Sequence, residues 1–136
     1  MTVLKSIALA TLLLPLTAFA QPLSEKEKGQ VHEMCLGFSM ISKGIMQARQ
    51  EGQSQESVKA QLDDVISKKG AGASEFLTQS TKVLLNEAYT VPVASDPKKA
   101  QDIALAFGVA TYTQCMERIP PLIEKSRSES SSRLQK

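Results

Sequence analysis

Two cysteines, Cys35 and Cys115, and a single histidine, His32, have the widest chemical repertoire of any side chains in this 136-residue chain. A cysteine can act as a nucleophile, a metal ligand, half of a disulfide or a small buried apolar group, and each role needs particular neighbours. A C-x-x-C redox pair is absent, and a zinc site would need two ligands beyond the cysteines from a chain with one histidine. His32 is flanked by Gln30, Val31 and Glu33, and no G-x-S-x-G occurs, so the parts of a serine triad are missing. It reads as a surface residue on the flank of a helix. Asp63, Asp64, Glu87 and Asp102 could in principle supply the paired carboxylates of a glycosidase, but acids on helix faces are usually solvated. "GAGAS" lacks the Lys-Ser/Thr ending and the preceding strand of a phosphate-binding loop. The expectation is a chain without a catalytic constellation, a metal or a cofactor.

Which role the cysteines play depends on where the chain folds, and its first residues bear on that. "MTVLKSIALATLLLPLTAFAQ" has a short start with Lys5, an uncharged apolar stretch from Ile7 to Leu16, and Ala18 and Ala20 at the small positions of an A-x-A cleavage site. This is the pattern of a secretory signal at residues 1–20, cleaved after Ala20. A membrane anchor would need about 20 apolar residues, and this stretch is shorter and interrupted by Pro15. Gln21 rather than Cys follows, which argues against a lipid anchor, and no later segment is apolar enough to span a bilayer. The protein is therefore expected in the periplasm or outside the cell. In such an oxidising compartment two cysteines should pair. A bridge closing a loop of about 80 residues is worth roughly 4.5 kcal/mol in the chain-entropy picture, which is comparable to the net stability of a small domain.

Without the leader the chain has 116 residues, enough for one domain with a core. Loss of Lys5 leaves fifteen basic against fourteen acidic side chains. That balance, with no Trp and two Tyr, excludes the basic stripe and stacking platforms of a nucleic-acid binder.

The elements that would position these residues are helical. Apolar residues at Val31, Met34, Cys35, Phe38, Ile41, Ile45 and Ala48 recur at steps of three and four, which predicts a helix over about 24–49 with Cys35 facing the core. Gly37 and Gly44 lie within it and predict close approach by a neighbour. In "RQEGQSQES", Gly52 ends this helix and Ser54 caps the next, which runs to about Lys68 and should bury Val58, Leu62, Val65 and Ile66. A third helix carrying Phe76, Leu77, Val83, Leu84 and Ala88 should start at Ser74 and end near Tyr89. "TVPVASDP" is a break in which Asp96-Pro97 reads as N-cap and first helical residue. The last helix is expected over about 97–118, with Ala100, Ala104, Phe107, Thr111 and Cys115 on its inner face, stopped by Pro120 and Pro121. "LIEKSRSESSSRLQK" then reads as a flexible polar tail over 122–136 whose removal should leave stability unchanged. The architecture predicted for residues 21–121 is an all-α compact bundle of four or five helices, with one disulfide joining the first and last long helices.

Cys35 opening a helical segment, "ARQEG" at Ala48 to Gly52, "AYTVP" at Ala88 to Pro92, and Phe107 followed by "YTQC" at Tyr112 to Cys115 form a pattern. It resembles uncharacterised small exported two-cysteine all-helical proteins of Gram-negative bacteria, over roughly Cys35 to Cys115. The resemblance implies an all-helical fold with Cys35 and Cys115 paired, and no established activity. Arg49, in the last turn of its helix, suits the negative end of the dipole and could also pair with Asp63 or Asp64. Tyr89 and Tyr112 should lay their rings on the core with hydroxyls toward water or a carbonyl. Arg49 and Tyr89 are the candidate binding-surface residues, because both types supply interface energy.

These readings lead to an exported, non-enzymatic helical protein that binds another macromolecule, a protein of unspecified identity, in the periplasm or after secretion toward a host or neighbouring cell. An inhibitor or immunity protein of a cell-wall hydrolase or toxin, a periplasmic acid-stress chaperone and a small hydrolase are the alternatives.

Overall fold

The structure is a computed structural model and describes residues 21–68 and 74–134. The leader expected at residues 1–20 and most of the glycine-rich loop lie outside the described residues. Four helices follow in order: α1 (Glu25–Gln50), α2 (Gln55–Lys68), α3 (Ser74–Thr90) and α4 (Pro97–Arg133).

Each start has a local cause. Ser24 caps α1 through a reciprocal box: its hydroxyl accepts from the Glu27 amide, and the Glu27 carboxylate accepts from the Ser24 amide at 2.9 Å. The Ser54 hydroxyl accepts from the Ser57 amide at 3.2 Å at the head of α2. Asp96 accepts from the Lys99 amide at 2.8 Å with Pro97 opening α4. Gly52, at φ 81°, takes the left-handed conformation that lets the chain reverse between α1 and α2.

α1 is the central element. Its buried residues Val31, Cys35, Phe38, Ile45 and Met46 face α4 on one side and α3 on the other. α4 runs antiparallel to α1, since Cys35 bonds Cys115 and the Ser39 hydroxyl donates to the Gly108 carbonyl at 2.8 Å. α3 runs parallel to α1: Phe76 stacks edge-on against Phe38, and Arg49 reaches Tyr89 and the Val91 carbonyl. α2 packs mainly on α3, and α3 and α4 scarcely meet. The core has two clusters, one of Ile45, Met46, Val58, Leu85, Ala88 and Ala104, the other of Leu23, Val31 and Cys35 beneath the later turns of α4. The expected all-α bundle, tied by a disulfide between its first and last long helices, is what the structure contains.

Several local expectations need correction. α4 does not stop at Pro120 and Pro121 but continues to Arg133, so residues 122–133 form helix rather than a flexible tail. Each proline removes an amide donor and crowds the carbonyl four residues back, a cost of about 3 kcal/mol in an ordinary helix interior. Contacts on both sides offset it. Ile119 and Ile123 pack on the Leu23, Val31 and Cys35 cluster, and Arg127 pairs with Glu27. Removing residues 122–136 is thus expected to destabilise by about 1–2 kcal/mol through lost burial at Ile123, and to lower the melting temperature by on the order of 5 °C in a calorimetric scan.

The close helix approach is at Gly108, not at Gly37 or Gly44. A Cβ on either of the latter would meet nothing within 4 Å, whereas one on Gly108 would lie 3.0 Å from the Ser39 carbonyl oxygen. On α3, Thr81, Leu85 and Ala88 are buried, while Phe76 and Val83 are exposed. On α2, Val58 is buried, Leu62 and Ile66 are half-buried and Val65 is exposed.

Candidate functional site: the groove between α3 and α4

The structure brings together some of the residues singled out in the sequence and keeps others apart. Cys35 and Cys115 form a disulfide across 80 residues, with Cys35 fully buried. His32 is exposed and its Nδ1 lies 2.8 Å from the Tyr112 hydroxyl, with the two rings edge to face. The acids do not converge. Asp63 pairs with Lys59, Asp64 with Lys68 and Asp102 with Lys98, all on exposed helix faces, and Glu87 stands apart on α3. Among the described residues no three of His, Cys, Asp or Glu come together as metal ligands.

Arg49 and Tyr89 do form a unit, though not with the carboxylates that α2 was expected to supply. The guanidinium lies 5.1 Å from the Tyr89 ring centroid, and its Nε donates to the Val91 carbonyl at 3.2 Å. The Tyr89 hydroxyl donates to the Gln53 carbonyl at 2.7 Å. Both residues are half-buried and hold the end of α1 to the end of α3, which is a bracing role. Gln50, which carries no signal in the sequence, completes this corner. Its amide nitrogen donates to the Pro92 carbonyl at 3.1 Å, and its oxygen accepts from the Ala94 amide at 2.8 Å. It fixes the connection into α4.

Burial raises the pKa of Tyr89 above the ordinary tyrosine value of 10.0; the nearby Arg49 charge works against that shift and Glu56 adds to it. A raised acid pKa means that the unfolded chain ionises first. The contribution to stability is full below the ordinary value and is lost as pH rises through the folded one. Phenolate absorbance should show a titration step above the ordinary tyrosine value, and Tyr89→Phe should remove it.

The cavities formed by the described residues include three with room for a ligand. One of about 650 Å³ between α1 and the start of α4 is half polar. A second of about 330 Å³ lies under α2, between Phe38, Ile41, Leu62 and Leu77. The third, about 290 Å³, is an open groove between α3 and α4. Its floor is Phe38, Leu84, Cys115 and Ile119, and its rims present Phe76, Val83 and Leu122, which are 54%, 55% and 59% exposed. Glu87 and Arg118 stand on opposite walls.

This groove gathers three of the large exposed apolar side chains in one place, where single exposed residues would need no explanation. The disulfide crosses its base and fixes α4 to α1, so one wall is held covalently. Phe76 and Val83, seven residues apart, share the helical spacing of a buried face, yet both are exposed. The polar Thr81 between Leu77 and Leu85 marks the face that is buried instead; its hydroxyl is satisfied by the Leu77 and Thr78 carbonyls. Comparison with known protein families, with curated proteins and with solved structures returned no match.

Proposed function

We propose that this is an exported, non-enzymatic binding protein whose helical bundle, braced by the Cys35–Cys115 bridge, docks a protein partner on the α3/α4 groove. The convergence of exposed Phe76, Val83 and Leu122 on one groove carries the reading. Interfaces take their energy from such apolar and aromatic anchors seated in a preformed depression, and the acids of this chain are dispersed on lysine-paired faces. Export is supported by the leader pattern of residues 1–20 and by a disulfide that an oxidising compartment maintains. An inhibitor or immunity protein directed at one hydrolase or toxin is the narrowest form of this reading.

The test is capture of a tagged protein from periplasm and culture medium, identification of what copurifies, and reconstitution with the purified partner. A stoichiometric complex supports the reading. Failure of any protein to copurify from either fraction would refute it.

An acid-responsive chaperone is a second reading, favoured by the Glu27–Arg127 pair that closes α4 over Leu23 and Val31. Protonation of the Glu27 carboxylate would release that clasp and uncover apolar surface. Binding of a hydrophobic dye that stays flat from neutral pH to about pH 2 would exclude it.

A further inference from the structure

A four-helix bundle places each helix at the corner of a square, touching two neighbours. Here α1 touches α3 and α4, but α3 and α4 scarcely touch each other, so three corners are filled and the one diagonal to α1 is open. α2 does not occupy it, since α2 lies on the other side of α3, where its Leu62 faces the same cavity as Leu77 and Thr81. The open corner is the groove, with Phe38 of α1 at its floor.

On this basis, and resting on the protein-binding reading above, we infer that the fourth corner takes an amphipathic α-helix of the partner protein, entering with its N-terminus at Glu87 and ending with its C-terminus at Arg118. The shape argues for a helix. Each wall spans twelve residues, Phe76 to Glu87 and Thr111 to Leu122, whose ends lie about 16 Å or three helical turns apart. A guest with apolar residues at i, i+4 and i+7 matches rims set by Phe76, Val83 and Leu122.

The charges fix its direction. Because α3 and α4 run antiparallel, Glu87 and Arg118 lie toward opposite ends of the groove, and among the described residues neither forms an ion pair. A helix N-terminus and a basic first turn favour Glu87, and a C-terminus with an acidic last turn favours Arg118. The guest thus runs antiparallel to α3.

The probe is a side-chain-stapled synthetic helix of about 15 residues, with leucines along one face, a lysine in the first turn and a glutamate in the last, titrated against the full disulfide-bonded protein by calorimetry. A second peptide exchanges the lysine and glutamate. The first should bind in the micromolar range and the exchanged one about threefold to tenfold more weakly, as two partly exposed charge pairs allow. Arg118→Glu should abolish that preference, because each peptide then meets one attractive and one repulsive charge, and Glu87→Lys combined with Arg118→Glu should reverse it. Val83→Asp combined with Leu122→Asp should abolish binding of both while leaving the melting temperature nearly unchanged, because both side chains are more than half exposed. Absence of binding, or equal binding by that double variant, would overturn the inference. A wild-type dimer that the double variant converts to monomer would also overturn it, by giving the corner to a second copy. Failure of this inference is separable from failure of the proposed function: a reconstituted partner that the double variant still binds leaves the binding reading intact and removes only the groove.

Discussion

Replacing Cys35 and Cys115 together by alanine is expected to lower the free energy of unfolding by about 2–5 kcal/mol in urea denaturation. The bond closes a loop of 80 residues, so its removal returns a large conformational freedom to the unfolded chain. It also has a native-state consequence. Cys35 is wholly buried against the turns of α4 that carry Met116, Ile119 and Ile123, and the bridge ties α4 to α1 one turn before the proline pair. Loss of a few kcal/mol is a large share of what a domain of this size has in total. Paired alanines avoid leaving a free thiol, and the measured change combines loss of the bridge with loss of the packing of its buried sulfurs. A loss below about 1 kcal/mol would mean that packing alone sets the α1/α4 register.

Gly108→Leu is expected to destabilise by about 1–3 kcal/mol, with Gly108→Ala near neutral. Gly108 is buried where α4 crosses α1. A Cβ there would lie 3.0 Å from the Ser39 carbonyl oxygen and 3.1 Å from the Lys43 Cβ. The first contact is with backbone, which can yield only if the helices part. Parting them stretches the bond from the Ser39 hydroxyl to the Gly108 carbonyl, now 2.8 Å. Alanine meets the same contacts but recovers about 1 kcal/mol of helix propensity, so the two effects nearly cancel. Leucine adds three more carbons without further compensation. Denaturation midpoints of the two variants, with Gly37→Ala as a control that meets open space, separate crowding from propensity.

The parts of this fold that are legible in the sequence are those set by neighbours along the chain. Ser54 and Asp96 announce helix starts because a short polar side chain reaches the amide three residues on, and Gly52 announces a reversal because a left-handed turn suits glycine. The stripes through Cys35 and Cys115 are legible for the same reason, and they bring the two sulfurs together. The misread parts are those that distant residues decide. Pro120 and Pro121 carry a local stop signal, yet Ile123 and Arg127 find partners in α1 about a hundred residues earlier and the helix persists. Arg49 has a neighbouring cation acceptor in sequence at Asp63 and Asp64, but these are taken by Lys59 and Lys68 on their own helix, and the guanidinium goes to Tyr89 and Val91 instead.

The candidate site was the least legible. Phe76 and Val83 are apolar residues at helical spacing whether the facing position is filled or open. The groove exists because α3 and α4 both choose α1 and not each other, a property of three helices that no single stretch encodes. Glu87 and Arg118 acquire meaning only once the walls are placed, since in the chain they are an ordinary acid and an ordinary base on separate helices.

The proposed export and the Cys35–Cys115 bond can be checked in one sample. Intact mass of the protein recovered from the exported fraction, denatured and treated with a thiol-alkylating reagent without reductant, tests both halves together. The expected species begins at Gln21, lacks two hydrogens and gains no alkyl group. Material that keeps residues 1–20 and takes up two alkyl groups, at Cys35 and Cys115, would contradict it.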